Sequence, residues 1–158
     1  MNQFNAPKTN KELVTYLENI SGSTFLLGGG TDLSIYIKNN NIHNFTLIDL
    51  TKINENKTIQ LTDKTIEIGS AVTISKLLSN TAIKHNFPAL QEACNTLGST
   101  QIRNIATLGG NIVNASQSAD TLPVLLAHQA YCILLNKNGS IQKTTLRLPS
   151  RIEGKSPR

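Results

Sequence analysis

Hydrophobic positions along the chain recur in two rhythms, and the changes of rhythm mark its elements. Leu13, Val14, Leu17 and Ile20 keep the three-to-four-residue spacing of a helix face. Thr9 and Glu12 precede them as a capping box, and Gly22 offers a stop. "TFLLGGGTDL", residues 24–33, reads as a short buried strand running into a glycine turn, followed by the amphipathic Ile35, Tyr36 and Ile37. "FTLIDL", residues 45–50, is a second apolar strand. Strand, glycine turn, helix and strand in so short a span predict a βαβ unit, because parallel neighbours need a crossover.

The rhythm then shortens. "KTIQLT" (57–62) and "KTIEIGS" (64–70) alternate in period two around Thr62-Asp63-Lys64, as a hairpin does. Thr73 is placed to cap a short helix through Ile74, Leu77 and Leu78. Asn86 and Pro88 open another, whose Leu90, Ala93, Cys94 and Leu97 share one face before Gly98. "QIRNIATLGGNIVNAS", residues 101–116, reads as a small polar loop centred on glycine, with Ile105-Ala106 strand-like. In "DTLPVLLAHQA" the proline must fall in the first helical turn, which puts the N-cap near Asp120. "YCILL" (131–135) and "SIQKTTL" (140–146) form a second strand pair about Asn138-Gly139. Residues 147–158 have no periodicity and read as a disordered tail. The layout predicts an α+β fold in two small lobes. Residues 1–55 form a βαβ lobe with a small parallel sheet, and residues 56–146 a lobe of mainly antiparallel sheet plus helices.

Composition narrows the function classes. With 39% hydrophobic residues, only 4% aromatic and no Trp, aliphatic side chains must fill the interior. The net charge of +5 comes from scattered Lys and Arg, a solvated surface rather than a nucleic-acid footprint. No apolar run approaches a membrane span, and the N-terminus carries no signal-peptide pattern, so the expected compartment is the cytoplasm. Cys94 and Cys132 lie far apart in apolar surroundings and read as buried free thiols. No His, Cys or Asp grouping has metal-ligand spacing.

The chemistry candidates are Gly28-Gly29-Gly30-Thr31-Asp32 and Thr107-Leu108-Gly109-Gly110-Asn111. Successive amides in a glycine turn can form a concave nest for phosphate oxygens, and hydroxyl and amide side chains can add neutral hydrogen bonds. Neither segment matches a dinucleotide fingerprint or a P-loop, and either one alone is most simply a tight structural turn. Asp120 reads equally as a helix N-cap or a ligand contact, and Asp32 has the simpler reading of a cap for the helix after its loop. Arg103 reads as a surface or ion-pair residue ahead of a phosphate ligand, and His128 as structural.

The wording around both segments resembles the FAD-binding subunits or domains of the molybdenum hydroxylases, the xanthine dehydrogenase and carbon monoxide dehydrogenase group. The resemblance is carried by Phe4 to Pro7, "GGTDL", "IDL", "IEIGSAVTISKL", "FPALQEA", "QIRNIATLGGNIVNAS" and "ADTLPVLLAHQA", and it fades after Asn138-Gly139. It implies the two-lobed PCMH-type FAD-binding fold, with FAD extended between the lobes. By position, Leu26, Leu27, Gly28, Gly29, Gly30, Thr31, Asp32 and Leu33 would form a first phosphate loop. Thr107, Gly109, Gly110 and Asn111 would form a second. Ser116 and Asp120 would lie on the flavin or polyol side, with Leu97 and Gly98 along the cofactor. Ser116-Gln117 stands where the family often has Ser-Pro. The resemblance further implies an electron-transfer role, with an iron–sulfur subunit and a molybdopterin subunit as partners and NAD or another acceptor downstream. Two isolated cysteines cannot hold a [2Fe–2S] cluster, which needs four ligands. No catalytic acid or base is expected on this chain. The alternatives are a shortened, catalytically silent remnant or a module binding another phosphate ligand or RNA.

Overall fold

The computed structural model describes residues 1–20, 22–116 and 119–146, so the expected tail at 147–158 and Gln117 lie outside the described residues. The fold is α+β. Strand β1 (Gln3–Asn5), helix α1 (Asn10–Glu18), β2 (Ser23–Leu27), α2 (Leu33–Asn39) and β3 (Phe45–Asp49) build the first region. The three strands form one sheet in the order β1-β3-β2, and both pairings are parallel. The βαβ reading therefore stands, enlarged by a three-residue strand too short to show a period.

Parallel sheets tend to bury both faces; here each face carries one helix, while Phe4 and Leu26 stay exposed. Phe25 meets Phe45 and the α2 residue Tyr36 edge-on, with ring centroids 5.9 and 6.3 Å apart. On the other face Ile48 packs with Leu13, Leu17 and Ile53. Helix α1 is capped at Thr9, whose Oγ1 accepts from the Glu12 amide at 3.1 Å. The Glu12 carboxylate reaches one residue past the expected box and accepts from the Lys8 amide at 2.8 Å. The helix ends at Glu18, short of Ile20.

Strands β4 (Ile59–Leu61) and β5 (Ile66–Ile68) pair antiparallel. Six helices follow: α3 (Ile74–Leu78), α4 (Thr81–Asn86), α5 (Pro88–Thr96), α6 (Thr100–Ile105), α7 (Leu108–Asn114) and α8 (Thr121–Ala127). Strands β6 (Tyr131–Leu135) and β7 (Ile141–Thr145) close the order as the expected strand pair, antiparallel. Asn86 ends α4 rather than opening α5, and Pro88 takes the first position of α5.

The largest correction concerns residues 101–116, which are two helices and not a loop. Ser99 caps α6, and Thr107 caps α7 by accepting from the Gly110 amide at 3.2 Å. Gly109 and Gly110 therefore sit in the first turn of α7, where amides have no intrahelical partner and side-chain hydroxyls serve instead. Ile105 ends α6 and is half exposed at 52%, not buried in a strand.

A second core holds Val72, Ile74, Leu77, Ile83, Leu90, Cys94, Ala106, Leu108 and Leu125. The β6–β7 pair spans the two cores: Leu135 packs on the cluster of Leu13, Ile48 and Ile53, and the flanking Ala130 and Leu146 pack on the second. Cys94 is fully buried, and burial pushes its thiol up from 9.0 to about 11. Cys132 is only half-buried, a departure from the expected pair of buried thiols. The folded state holds the Cys94 proton longer than the unfolded chain does. That difference stabilises fully below pH 9 and is lost as pH rises toward 11. Urea unfolding across this window should show Cys94→Ala losing less stability than the parent, by up to about 3 kcal/mol.

Candidate functional site

Because β1, β2 and β3 run parallel, their carboxyl ends share one side of the sheet, where open α/β sheets present ligand sites. The chain leaves β2 there as Gly28-Gly29-Gly30, and Gly30 turns through a left-handed conformation with φ +74°. From Gly29 through Leu33, the backbone N–H groups donate to no acceptor among the described residues. The Asp32 side chain does not cap α2 and instead accepts from the Thr31 hydroxyl at 3.1 Å. A run of unengaged amides at the end of a parallel strand is the kind of segment from which a concave donor surface can be built.

The second glycine segment meets the first directly. A Cβ on Gly28 would lie 2.6 Å from Thr107 Oγ1 and 3.8 Å from the Gly110 Cα. One on Gly29 would overlap the Ile105 carbonyl oxygen and lie 2.7 Å from the Ala106 Cα. Glycine is required there for close approach of backbone to backbone.

The two segments are not equivalent. Amides of Leu108 and Gly109 donate to Val72 and Ser70 carbonyls at 2.9 and 3.0 Å, and those of Gly110 and Asn111 are held by Thr107. Gly109 packs on Ser70, where a Cβ would lie 2.7 Å from the Ser70 oxygen. Thr107 is 2% exposed, and its Thr73 bridge lies over the second core. The first segment thus presents free donors, while the second is a backbone wall with its amides already engaged.

The remaining candidate residues fall around this contact. Asn111 Oδ1 accepts from the buried Thr121 hydroxyl, which joins α7 to α8. Asp120 stands at the N-cap position of α8, but its carboxylate accepts from Thr96 Oγ1 at 3.3 Å. Ser116 accepts through its carbonyl from the Ala119 amide at 2.9 Å. Leu26 is half exposed, Leu27 packs against Gly30, and Leu97 leans on the second core. Ile105, Ala106 and Ser70 were not singled out beforehand, and nothing local in the sequence marks a residue whose backbone must be approached. His128 stacks edge-on to Phe87 at 5.3 Å, as a structural residue would.

A groove of about 240 Å³ lies elsewhere, beneath α1, lined by Gln3, Asn5, Tyr16, Thr24, Thr46 and Ile48. It includes neither glycine segment. Among the described residues no three His, Cys, Asp or Glu side chains converge as a metal site. No helix of the described residues is long and apolar enough to cross a membrane.

Fold and junction together define an α+β protein whose parallel-sheet glycine turn is locked against a second glycine segment. Residues 1–149 match the family described as FAD binding domain in molybdopterin dehydrogenase, and the chain belongs to that family. The match runs past Asn138-Gly139, beyond the segments that carry the resemblance.

The chain is 37% identical over 106 residues to the xanthine dehydrogenase FAD-binding subunit of Escherichia coli O157:H7, covering 66% of this chain and 36% of that one. It is 31% identical over 141 residues to the nicotinate dehydrogenase FAD-subunit of Eubacterium barkeri, covering 89% and 48%. Among solved structures it is similar to carbon monoxide dehydrogenase from Hydrogenophaga pseudoflava, with a TM-score of 0.84 and 28% identity over 90% of this chain and 50% of that chain. The chain spans half or less of the length of these relatives.

Proposed function

We propose that this chain is the FAD-binding part of an electron-transfer subunit of a molybdenum hydroxylase. It would work in the cytoplasm, with an iron–sulfur subunit and a molybdopterin subunit as partners and NAD or another acceptor taking the electrons. The observation that carries this reading is the glycine junction, where free amides from Gly29 to Leu33 face away from any protein acceptor beside the wall of Ile105 to Gly110.

These residues suit a flavin dinucleotide. Its diphosphate needs several neutral donors in a concave turn and no bulky side chain, which Gly29, Gly30, Thr31, Asp32 and Leu33 supply through their backbones. Thr107 and Gly110 back that turn while Gly109 packs on Ser70, and Asn111, Ser116 and Asp120 would lie toward the polyol and flavin side. Leu26, Leu27 and Leu97 give apolar surface along the molecule. The lobes 1–55 and 56–146 would then be the two walls of one cleft. Bound flavin supplies the redox chemistry that no side chain here provides, and the protein binds and orients it.

The test is direct. Purified protein mixed with FAD and desalted should stay yellow and quench flavin fluorescence, and ADP should compete because it shares the diphosphate. Protein that emerges colourless, with flavin fluorescence unchanged throughout the titration, would sink the reading.

A further inference from the structure

We propose that Arg103 is a positioning residue for flavin-nucleotide binding, acting through the backbone rather than touching the phosphates. The inference rests on the FAD reading above. It replaces the surface or ion-pair role that the sequence suggested for this arginine.

Helix α5 ends at Thr96, leaving carbonyl oxygens without intrahelical partners. The Arg103 guanidinium, reaching back from the last turn of α6, gathers them. Its Nη1 donates to the carbonyls of Asn95 and Leu97 at 3.2 Å and of Gly98 at 2.8 Å, and Nη2 donates to Thr100 Oγ1 at 3.1 Å. Gly98 turns with φ +52°, and Ile102 packs on it so closely that a Cβ would lie 3.2 Å from Cγ2. The turn and α6 are thereby held as one body. A second tether, Ser75 Oγ donating to Asn104 Oδ1 at 2.6 Å, ties the same helix to α3.

What this body carries is the wall. Ile105 and Ala106, two and three residues beyond Arg103, are the backbone that Gly29 meets. Arg103 therefore sets where that wall stands, and so where the free amides of Gly29 to Leu33 point. Its donors are directed at backbone carbonyl dipoles rather than outward at a ligand. A lysine keeps the charge but cannot span four acceptors with one ammonium, whereas a planar guanidinium can.

Arg103→Met and Arg103→Lys should both bind FAD at least about tenfold more weakly by fluorescence titration, a loss of roughly 1.4 kcal/mol. Far-UV circular dichroism of the apoprotein should be unchanged. Millimolar guanidinium, far below denaturing levels, should restore part of the affinity of Arg103→Met and leave the parent unaffected. Parent-like affinity in both variants would overturn the proposal. So would parent-like affinity in Arg103→Lys alone, which would mark a charge contact with phosphate. Should Arg103→Met fail to fold, Thr100→Val removes only the Nη2 partner: a smaller weakening supports the clamp, and unchanged affinity refutes it. A parent protein that ignores FAD would refute the functional reading itself, before any variant is compared.

Discussion

Gly29→Ala is expected to abolish most FAD binding, weakening it at least about a hundredfold, which is roughly 2.7 kcal/mol. The added methyl would overlap the Ile105 carbonyl oxygen and crowd the Ile105 carbon and Ala106 Cα, both 2.7 Å away. These are backbone atoms at the end of a helix held at both ends, so no side chain can rotate aside. Either the turn after β2 or the end of α6 must move, at an overpacking cost of about 1–3 kcal/mol. Movement of either displaces the amides from Gly29 to Leu33 relative to the wall. Gly22→Ala is the comparison. Gly22 has φ +68° but nothing within 4 Å of an added Cβ, so alanine there costs about 1 kcal/mol of backbone strain and leaves FAD affinity unchanged. Fluorescence titration and urea unfolding on both variants decide the matter. Parent-like binding by Gly29→Ala would mean that the two segments do not meet.

Ile74→Ala should be the most damaging core substitution near the site. Ile74 is fully buried, its amide donates to the Ala106 carbonyl at 3.0 Å, and its side chain lies in the second core. Truncation removes buried methyl groups and leaves a cavity, a loss of about 2–5 kcal/mol, whereas Ile74→Val should cost about 0.5–1.5 kcal/mol. Because Ala106 belongs to the wall that Gly29 meets, the damage should reach the ligand as well. FAD in excess should recover part of the lost stability by binding only the folded state. A denaturation midpoint unmoved by Ile74→Ala would contradict the burial of this residue.

Much of the fold is legible because it is local. The β4–β5 and β6–β7 pairs follow from period-two alternation about turn residues, and the β2–α2–β3 unit from its glycine turn between apolar runs. The elements that escaped notice, β1, α4 and α6, carry too few apolar residues to set a period and have no turn signal joining them to a matching partner. The glycines at 109 and 110 misled for a physical reason. Glycine disfavours helix interiors, but the first turn of α7 demands little intrahelical bonding, and Ser70 leaves no room for a larger residue. Residue type likewise placed Asp32 and Asp120 correctly at helix starts, yet their carboxylates turned to Thr31 and Thr96 instead. Arg103 looked like a surface charge because its carbonyl partners carry no sequence signature.

By itself the sequence determined the α+β class, the order of its main strands and helices, the two glycine segments and the family to which the chain belongs. Those are properties of periodicity, turn chemistry and motif spacing, all readable within a few dozen residues. Only the tertiary structure decided that Gly28 and Gly29 touch the backbone of residues 105–110, and that one segment keeps its amides free while the other has committed them. Contacts between backbones distant along the chain depend on how two cores pack together, and any local window leaves that packing open.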